Sequence, residues 1–261
     1  MGTFVIFSEV MMAYWKADDD SQIYYEIHGQ SAGGSSLLLL PGLLGSISIQ
    51  WRNFVEPLAK DYRLLLVDLR GHGRSENHAK SLLPDNIVQD LLGLLDHLSI
   101  ESIHVAGYNL GGYLGLMLHL YEPHRVQTLL MHATKFYWMQ PAADLMSEQL
   151  DPDIISEKAP AYASQLALQH GAARWRSLVR QAADLINYLS LGGLSESGIA
   201  KAQCPILVSV GDRDELVPVR EAHRLSRELP TGSLLVLPGV RHPIQSLSLV
   251  PMHQVMRSFH K

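Results

Sequence analysis

The chain has little of the features that mark secreted, disulfide-rich or membrane proteins. Its one cysteine, Cys204, cannot form an internal disulfide, which is typical of a protein in a reducing compartment. No apolar run reaches the roughly 20 residues that a membrane-spanning helix needs. The start, residues 1–15, is apolar but lacks the basic segment and small-residue cleavage site of a signal peptide. We therefore expect a soluble, cytoplasmic protein.

The sequence also lacks an excess of charge of one sign. The formal net charge is −5 for 261 residues, which gives no electrostatic reason to bind nucleic acid or an anionic membrane surface. Apolar residues make up 47% of the chain, as in ordinary globular proteins, so extensive disorder is excluded. The length suits one large domain with an insert, or two small domains. The expected partner is a small-molecule substrate or ligand, without nucleic acid or membrane.

Metal and nucleotide signatures are missing as well. The histidines show no H-E-x-x-H spacing, and no cluster of Cys and His is present. Gly71 and Gly73 follow a predicted strand, but no third glycine stands where a dinucleotide-binding fingerprint needs one. We therefore predict no metal and no cofactor.

Unbroken apolar segments alternate with amphipathic segments along most of the chain. A hairpin is predicted at 11–16 and 22–29, followed by a Gly/Ser-rich turn at 31–36. The later predicted strands are 36–40, 62–69, 102–107, 126–131, 205–210 and 233–237. The predicted helices between and after them are 49–58, 84–98, 111–121, 221–228 and 250–259. Continuous apolar strands separated by amphipathic helices indicate an α/β fold with a doubly wound, mostly parallel sheet of about eight strands.

The alternation stops between residues 135 and 201, where no strand is predicted. From Trp175 to Leu189, apolar residues instead recur at helical spacing over almost four turns. We predict that residues 1–134 and 202–261 form one α/β core and that residues 135–201 form a helical lid over the carboxyl edge of the sheet. The apolar stripe of the long helix faces either the interior of the lid or the sheet edge.

The most specific segment is residues 107–112, GYNLGG, which lies between a predicted strand and a predicted helix. This context is that of a nucleophile elbow, and the segment matches its G-x-S-x-G pattern except at the serine. Gly107 and Gly111 allow strand and helix to pack closely. Asn109 stands at the apex, where a positive φ is needed that asparagine tolerates better than most residues. Taken alone, the segment also fits a glycine-rich turn in an unrelated α/β protein.

Four further segments occur in a fixed order around this one: 40–46 (LPGLLGS), 68–75 (DLRGHGRS), 211–218 (GDRDELVP) and 238–243 (PGVRHP). Together they resemble the oxyanion loop, the D-x-R-G-x-G-x-S signature, the acid loop and the histidine loop of the α/β-hydrolase family. The resemblance extends from Tyr14 to His260. Within the family, the first loop and the place of the lid look most like biphenyl-hydrolase-like and valacyclovir-hydrolase-like esterases.

The resemblance implies an active site with a nucleophile position, an acid, a base and two backbone oxyanion donors. The implied catalytic positions are Asn109, Asp214 and His242, and the implied oxyanion donors are the N–H groups of Leu43 and Leu110. Two assignments stay open at this point. Asp212 is the alternative acid, and Leu44 is the alternative to Leu43. His242 could also be merely structural, and the other histidines, His72 among them, are expected at the surface or in the core with their hydrogen bonds satisfied.

Asn109 is the departure from the family pattern. A carboxamide has no readily lost proton, so the usual covalent acyl-enzyme route is closed. One interpretation is an enzyme for a small, largely apolar ester, amide or related carbonyl compound, in which His242 and Asp214 act through water or move a substrate proton. A second is a ligand-binding module without catalysis. A third is that Asn109 replaces a natural Ser or Asp. An aspartate-type dehalogenase origin is disfavoured, because Leu110 stands where those relatives usually carry tryptophan. Retention of both His242 and Asp214 favours the first interpretation.

Overall fold

The computed structural model describes residues 10–29 and 35–261. Predictions for residues 1–9 and for most of the turn at 31–36 lie outside the described residues. The chain opens with β1 (Val10–Lys16) and β2 (Gln22–His28), which pair antiparallel from Val10 opposite His28 to Lys16 opposite Gln22. The predicted hairpin is therefore confirmed.

The remaining strands form one sheet with this hairpin. They are β3 (Ser36–Leu40), β4 (Arg63–Val67), β5 (Ile103–Tyr108), β6 (Val126–His132), β7 (Ile206–Gly211) and β8 (Gly232–Leu237). The strand order is β1-β2-β4-β3-β5-β6-β7-β8, and among the described strands only β2 runs against the others. The prediction of a doubly wound, mostly parallel sheet of about eight strands is confirmed.

Burial on both faces explains why the strands read as unbroken apolar runs. In β3, Leu38 and Leu40 belong to one core cluster, and Leu37 and Leu39 belong to the other. Successive side chains of a strand point to opposite faces, so every position of such a strand has to be apolar when both faces are covered.

Ten helices accompany the sheet within the described residues. Those of the α/β core are α1 (Arg52–Leu58), α2 (Pro84–His97), α3 (Leu110–Tyr121), α9 (Val219–Glu228) and α10 (Leu249–Phe259). Those of the segment 135–201 are α4 (Gln140–Gln149), α5 (Pro152–Lys158), α6 (Pro160–His170), α7 (Trp175–Gly192) and α8 (Glu196–Ile199). Buried side chains of α1 and α10 join one core cluster, and those of α2, α3 and α9 join the other, so the two sets cover opposite faces. None of these helices has both the length and the apolar character that crossing a membrane requires.

The first helix is shorter than predicted. The sequence pattern placed its start near residue 49, but α1 begins at Arg52 and residues 47–50 form turns. Trp51 has φ 64°, a left-handed conformation that interrupts a right-handed helix. Trp51, Phe54 and Leu58 are buried at spacings of three and four residues, which fits one face of a helix although the chain is not helical at Trp51.

The segment 135–201, all of which is described, is helical and contributes no strand to the sheet. Its long helix α7 packs against α4, α5 and α6, and Trp175, Leu178 and Val179 on its stripe are buried. Further along the same stripe, Leu185 and Ile186 line a small space beside Asn109. The stripe therefore faces the α/β core, beside Gly71 through Leu178 and beside Asn109 through Leu185 and Ile186.

Candidate active site

The strand order brings the motif-bearing loops to one edge of the sheet. β3 and β5 are neighbours, with Leu40 paired to Gly107, although β4 lies between them in the chain. The strands that follow β3 and β5 in sequence lie on opposite sides of this pair, and such a switch point opens a crevice at the carboxyl ends of the strands. The loop after β3 and the turn after β5 therefore meet there. β7 and β8 bring Asp214 and His242 to the same edge.

The turn after β5 has the strained geometry expected of an elbow. Asn109 has φ 52° and ψ −113° and connects β5 directly to α3. A Cβ on Gly107 would lie 2.3 Å from the carbonyl carbon of Gly111, and a Cβ on Gly111 would lie 2.4 Å from the carbonyl oxygen of Leu40. Only glycine fits at either position, because strand, helix and the neighbouring strand approach at backbone distance.

The imidazole of His242 is held by a buried carboxylate. His242 Nδ1 lies 3.0 Å from both oxygens of Asp214, whose side chain is fully buried. Asp214 Oδ1 also accepts hydrogen bonds from the N–H groups of Leu216 at 2.9 Å and Val217 at 2.7 Å. With Nδ1–H donating to the carboxylate, Nε2 keeps the lone pair of a proton acceptor. Asp212 instead accepts from the N–H of Gly239 at 2.6 Å, so of the two candidate acids the structure pairs Asp214 with His242.

The carboxamide of Asn109 joins the loop after β3 to this imidazole. Its Oδ1 accepts a hydrogen bond from the N–H of Leu43 at 3.2 Å, and its Nδ2 lies 3.1 Å from His242 Nε2. A backbone N–H can only donate, so the oxygen faces Leu43 and the amide –NH2 donates to the imidazole. Leu43, rather than Leu44, is therefore the residue whose N–H reaches the elbow. Leu110 is the first residue of α3, so its N–H is one of those without a partner inside the helix.

A cavity of about 390 Å³ opens on Asn109 and His242. Its walls include the aromatic and aliphatic side chains of Trp138, Met146, Leu150, Tyr162 and Ile186. The polar groups among them include the carboxamides of Gln50, Gln165 and Gln169. No Asp, Glu, Lys or Arg occurs among the described residues that line this cavity. A larger groove of about 660 Å³ between β2 and α1 shares none of these residues.

The loop after β3 is braced by side chains that the sequence analysis did not single out. Gln50 Oε1 accepts from the N–H of Gly42 at 2.7 Å. From the end of α6, Gln169 Nε2 donates to Ser46 Oγ at 2.8 Å, and His170 Nε2–H donates to the carbonyl of Leu44 at 3.1 Å. Ser46 and Leu44 lie more than 120 residues before Gln169 and His170 in the chain, so no local sequence pattern predicts these contacts.

The segment 68–75 supports the chain that follows this loop through the hydrogen bonds of Asp68. Asp68 Oδ1 accepts from the N–H of Ile47 at 2.7 Å, and its Oδ2 accepts from the N–H of Arg74 at 3.0 Å. Ser75 Oγ donates to the carbonyl of Asp68 at 2.6 Å and accepts from the N–H of Tyr24 at 2.8 Å. Burial raises the pKa of the Asp68 carboxyl. These hydrogen bonds of the segment thus serve the architecture of the site rather than its chemistry.

Ser46 and Tyr108, the nearest hydroxyl groups by sequence, are both engaged elsewhere. Ser46 Oγ is buried and contacts Ser48 Oγ at 2.9 Å as well as Gln169. Tyr108 OH donates to the carbonyl of His242 at 3.0 Å, and burial raises the pKa of this phenol. Neither hydroxyl occupies the apex of the elbow.

Six of the other histidines are buried: His72, His104, His119, His132, His170 and His260. The expectation that buried histidines would be satisfied is correct for His170, which accepts from the N–H of Gly73 at 2.8 Å and donates to Leu44. It is wrong for the other five, each of which has one ring nitrogen without a partner among the described residues. These rings pack as part of the core while satisfying only half of their polar atoms.

Comparison with known proteins places this geometry in a family. Residues 36–248 match the family described as alpha/beta hydrolase fold. The chain is 28% identical over 248 residues to a protein of Caulobacter sp. (strain K31) named carbamate hydrolase RutD, a match that covers 84% of this chain and 88% of that protein.

Two solved structures show the same fold. The enol-lactonase from Burkholderia xenovorans LB400 superposes with a TM-score of 0.74 at 20% identity, covering 94% of this chain and 98% of that one. The 2-hydroxy-6-oxo-6-phenylhexa-2,4-dienoate hydrolase (BphD) from Rhodococcus sp. strain RHA1 superposes with a TM-score of 0.75 at 19% identity, covering 98% and 100%. Because the family match spans most of the sequence and the architecture agrees, the chain belongs to the α/β-hydrolase fold family.

Proposed function

We propose that this protein hydrolyses a small, uncharged ester, amide or carbamate ester by using His242 and Asp214 to activate water. The observation that carries the proposal is the state of the imidazole. Asp214 holds Nδ1–H, and Nε2 is left as a proton acceptor at the mouth of a cavity. A positioned base of this kind supplies roughly 10² to 10⁴ in rate.

The proposed reaction begins when a substrate carbonyl displaces the Asn109 carboxamide. The carbonyl oxygen takes the place of Asn109 Oδ1 on the N–H of Leu43, with the N–H of Leu110 as the second donor. His242 Nε2 removes a proton from water, whose oxygen attacks the carbonyl carbon. The protonated imidazole, oriented by Asp214, then gives this proton to the departing alcohol or amine. While the Asn109 carboxamide is intact, no ester forms with the protein, because this side chain has no activated nucleophile.

The cavity walls support an uncharged substrate. An ion would lose its hydration there without an Asp, Glu, Lys or Arg side chain to pair with, since carboxamides, aromatic rings and aliphatic groups surround the imidazole of His242. The relatives named carbamate hydrolase and enol-lactonase are named for bonds between an acyl carbon and nitrogen or oxygen, which is the class of bond we propose here.

The helical segment 135–201 is proposed as the lid of this cavity, on a core made of residues 1–134 and 202–261. Tyr162, Gln165 and Gln169 on α6, with Ile186 on α7, form walls that face the elbow. Such a cover excludes water other than the reacting molecule and strengthens the electrostatic interactions inside. We further propose that the protein works in the cytoplasm, consistent with its lone buried cysteine, and without nucleic acid or membrane partners.

The alternative function is binding without turnover. It is favoured by one observation: the Asn109 carboxamide engages both the N–H of Leu43 and the imidazole of His242, so neither is free until the side chain moves. A protein that only retains a ligand needs no such movement.

The test is hydrolysis of uncharged short-chain aryl esters and amides by the wild-type protein and three variants. His242→Ala is expected to reduce kcat/KM by roughly 10² to 10⁴. Asp214→Asn is expected to keep only a residual fraction of the wild-type activity, because the imidazole is then mis-oriented. Asp212→Asn is the matched control, since this carboxylate does not contact His242, and it should behave as wild type. Unchanged activity in His242→Ala would remove the dyad from the mechanism, and ligand binding without turnover would establish the alternative.

A further inference from the structure

The side chain of Asn109 is held in the way that the site would hold an amide substrate. Its carbonyl oxygen lies on the N–H of Leu43, the expected oxyanion donor. Its amide nitrogen, which would be the leaving group, lies 3.1 Å from His242 Nε2. Both residues line the cavity of about 390 Å³.

We propose that this site hydrolyses the carboxamide of Asn109 and so converts the elbow residue to aspartate. The inference rests on the proposed function, because it uses the same dyad and the same oxyanion donor. It goes beyond it by naming a modification site within the chain. Asn109 would then be the precursor of a nucleophilic aspartate, and the site would not have lost its nucleophile.

The reaction consumes one water and releases ammonia. The Asn109 –NH2 first gives up its hydrogen bond to His242 Nε2, while Oδ1 keeps the N–H of Leu43. His242 Nε2 then takes a proton from water, the water oxygen bonds to Cγ of Asn109, and the C=O electrons move to Oδ1, where the N–H of Leu43 stabilises them. The tetrahedral intermediate collapses when the Cγ–Nδ2 bond breaks and Nδ2 receives the proton from His242. The new carboxylic acid then loses its proton to the released ammonia, so the products are an aspartate carboxylate and ammonium.

The surroundings of the elbow stabilise the product. A carboxylate at position 109 lies at the N-terminus of α3, a helix of 12 residues whose end carries a partial positive charge. It keeps the N–H of Leu43 as a donor and gains a charge-assisted bond when His242 is protonated. A carboxylate at this position is also a competent nucleophile for covalent catalysis.

Asn187 provides an internal control on the same chain. It is half-buried on α7, and its Oδ1 accepts from Ser147 Oγ at 3.0 Å, with no histidine or free backbone donor assigned to it. Both asparagines precede a bulky residue, Leu110 and Tyr188, so neither has the following glycine that favours attack by the next backbone nitrogen. Asn187 therefore controls for the size of the following residue, and the His242→Ala variant controls for the backbone conformation at Asn109.

The experiment follows the mass of the purified full-length protein, incubated near neutral pH without added substrate, by intact-mass and peptide mass spectrometry. We expect a gain of about 1 Da on the peptide that contains Asn109 and none on that of Asn187, as replacing an amide –NH2 by –OH requires. The gain should be lost in His242→Ala and strongly slowed in Asp214→Asn, and it should persist in Asp212→Asn. Far-UV circular dichroism establishes that each variant is folded.

Two results would overturn the inference. One is an unchanged mass at Asn109 in the folded wild-type protein. The other is a gain that persists in His242→Ala with isoaspartate in the peptide, since that product arises from attack by the N–H of Leu110 through a cyclic imide. Failure of the proposed function reads differently: mass gain without turnover of added esters or amides supports self-hydrolysis and refutes the proposed substrates. Turnover in a protein whose Asn109 stays intact refutes only the self-hydrolysis.

Discussion

At the scale of single residues, the chemistry of this protein depends on the side chain at the elbow. Asn109 preserves the backbone geometry, with φ 52°, and its carboxamide fills the contacts that a substrate carbonyl and a leaving group would make. His242 and Asp214, the proposed base and its carboxylate, lie beside it. The groups that we propose for proton transfer and for holding the substrate oxygen are thus close together, and the group at the elbow is a carboxamide where the G-x-S-x-G pattern has a hydroxyl.

Replacing that group by a hydroxyl should raise esterase activity. In Asn109→Ser, the hydroxyl would stand at the elbow in reach of His242 Nε2, and general-base removal of its proton would open the acyl-enzyme route. We expect kcat/KM for short-chain aryl esters to increase by about 10² or more, which is the lower range of what positioned proton transfer contributes. Asn187→Ser is the matched control and should leave the rate unchanged. A folded Asn109→Ser protein with no gain over wild type would show that the remaining site is not preorganised.

At the scale of elements, α6 couples the helical segment 135–201 to the loop after β3. His170 is fully buried at the end of α6, where it receives the N–H of Gly73 and donates to the carbonyl of Leu44. Leu44 has φ 57°, a conformation that a non-glycine residue keeps only when its surroundings hold it. Burial also lowers the pKa of His170 to about 3, so the ring stays neutral and can accept from Gly73 while it donates to Leu44.

Loss of this ring should therefore affect both stability and catalysis. His170→Ala leaves a buried N–H and a buried carbonyl without partners, and each such group costs about 1–3 kcal/mol. We expect the free energy of unfolding, measured by urea denaturation, to fall by about 2–4 kcal/mol, and esterase activity of an Asn109→Ser background to fall as well, because Leu43 would no longer be held. His124→Ala, at an exposed histidine, is the control. Equal activity and stability in both variants would show that α6 does not hold the loop after β3.

At the scale of the whole molecule, buried neutral histidines make the folded state sensitive to acid. Burial lowers the pKa of His72 and His132 to about 4 and that of His170 and His260 to about 3. In the unfolded chain a histidine titrates near 6.5. Between these values the unfolded state binds protons that the folded state does not, so stability is full above about pH 6.5 and is lost as the pH falls.

The expected loss is about 1.4 kcal/mol per pH unit for each such histidine below pH 6.5, which makes unfolding in mild acid steep. Urea or thermal unfolding measured from pH 7.5 to 5 checks this directly. His260→Asn should make the free energy of unfolding less dependent on pH, because it removes one of these histidines. His124→Asn, at the surface, should leave this pH dependence unchanged. A stability that does not change between pH 7 and 5 would contradict the account.

Much of this architecture could be predicted from the sequence, because it follows from local rules. Unbroken apolar strands report burial on both faces, and the glycines at 107 and 111 report backbone contact at a strand–helix turn. The resemblance of the loops at 211–218 and 238–243 to those of the α/β-hydrolase family implied Asp214 and His242, with Asp212 left open as the alternative acid. The start of α1 could not be predicted, since a buried turn through Trp51 has the same apolar pattern as a helix face.

What the sequence determined by itself is the set of elements and the identity of the group at the elbow; what only the tertiary structure decided is which groups touch. Sequence patterns record periodicity and burial, whereas a hydrogen bond between residues far apart in the chain depends on how the strands are ordered. The structure alone pairs Asp214, rather than Asp212, with His242. It alone also shows the contacts of Gln169 and His170 with the loop after β3. The two hydrogen bonds of the Asn109 carboxamide also depend on the strand order. Leu43, after β3, binds its oxygen, and His242, after β8, binds its nitrogen.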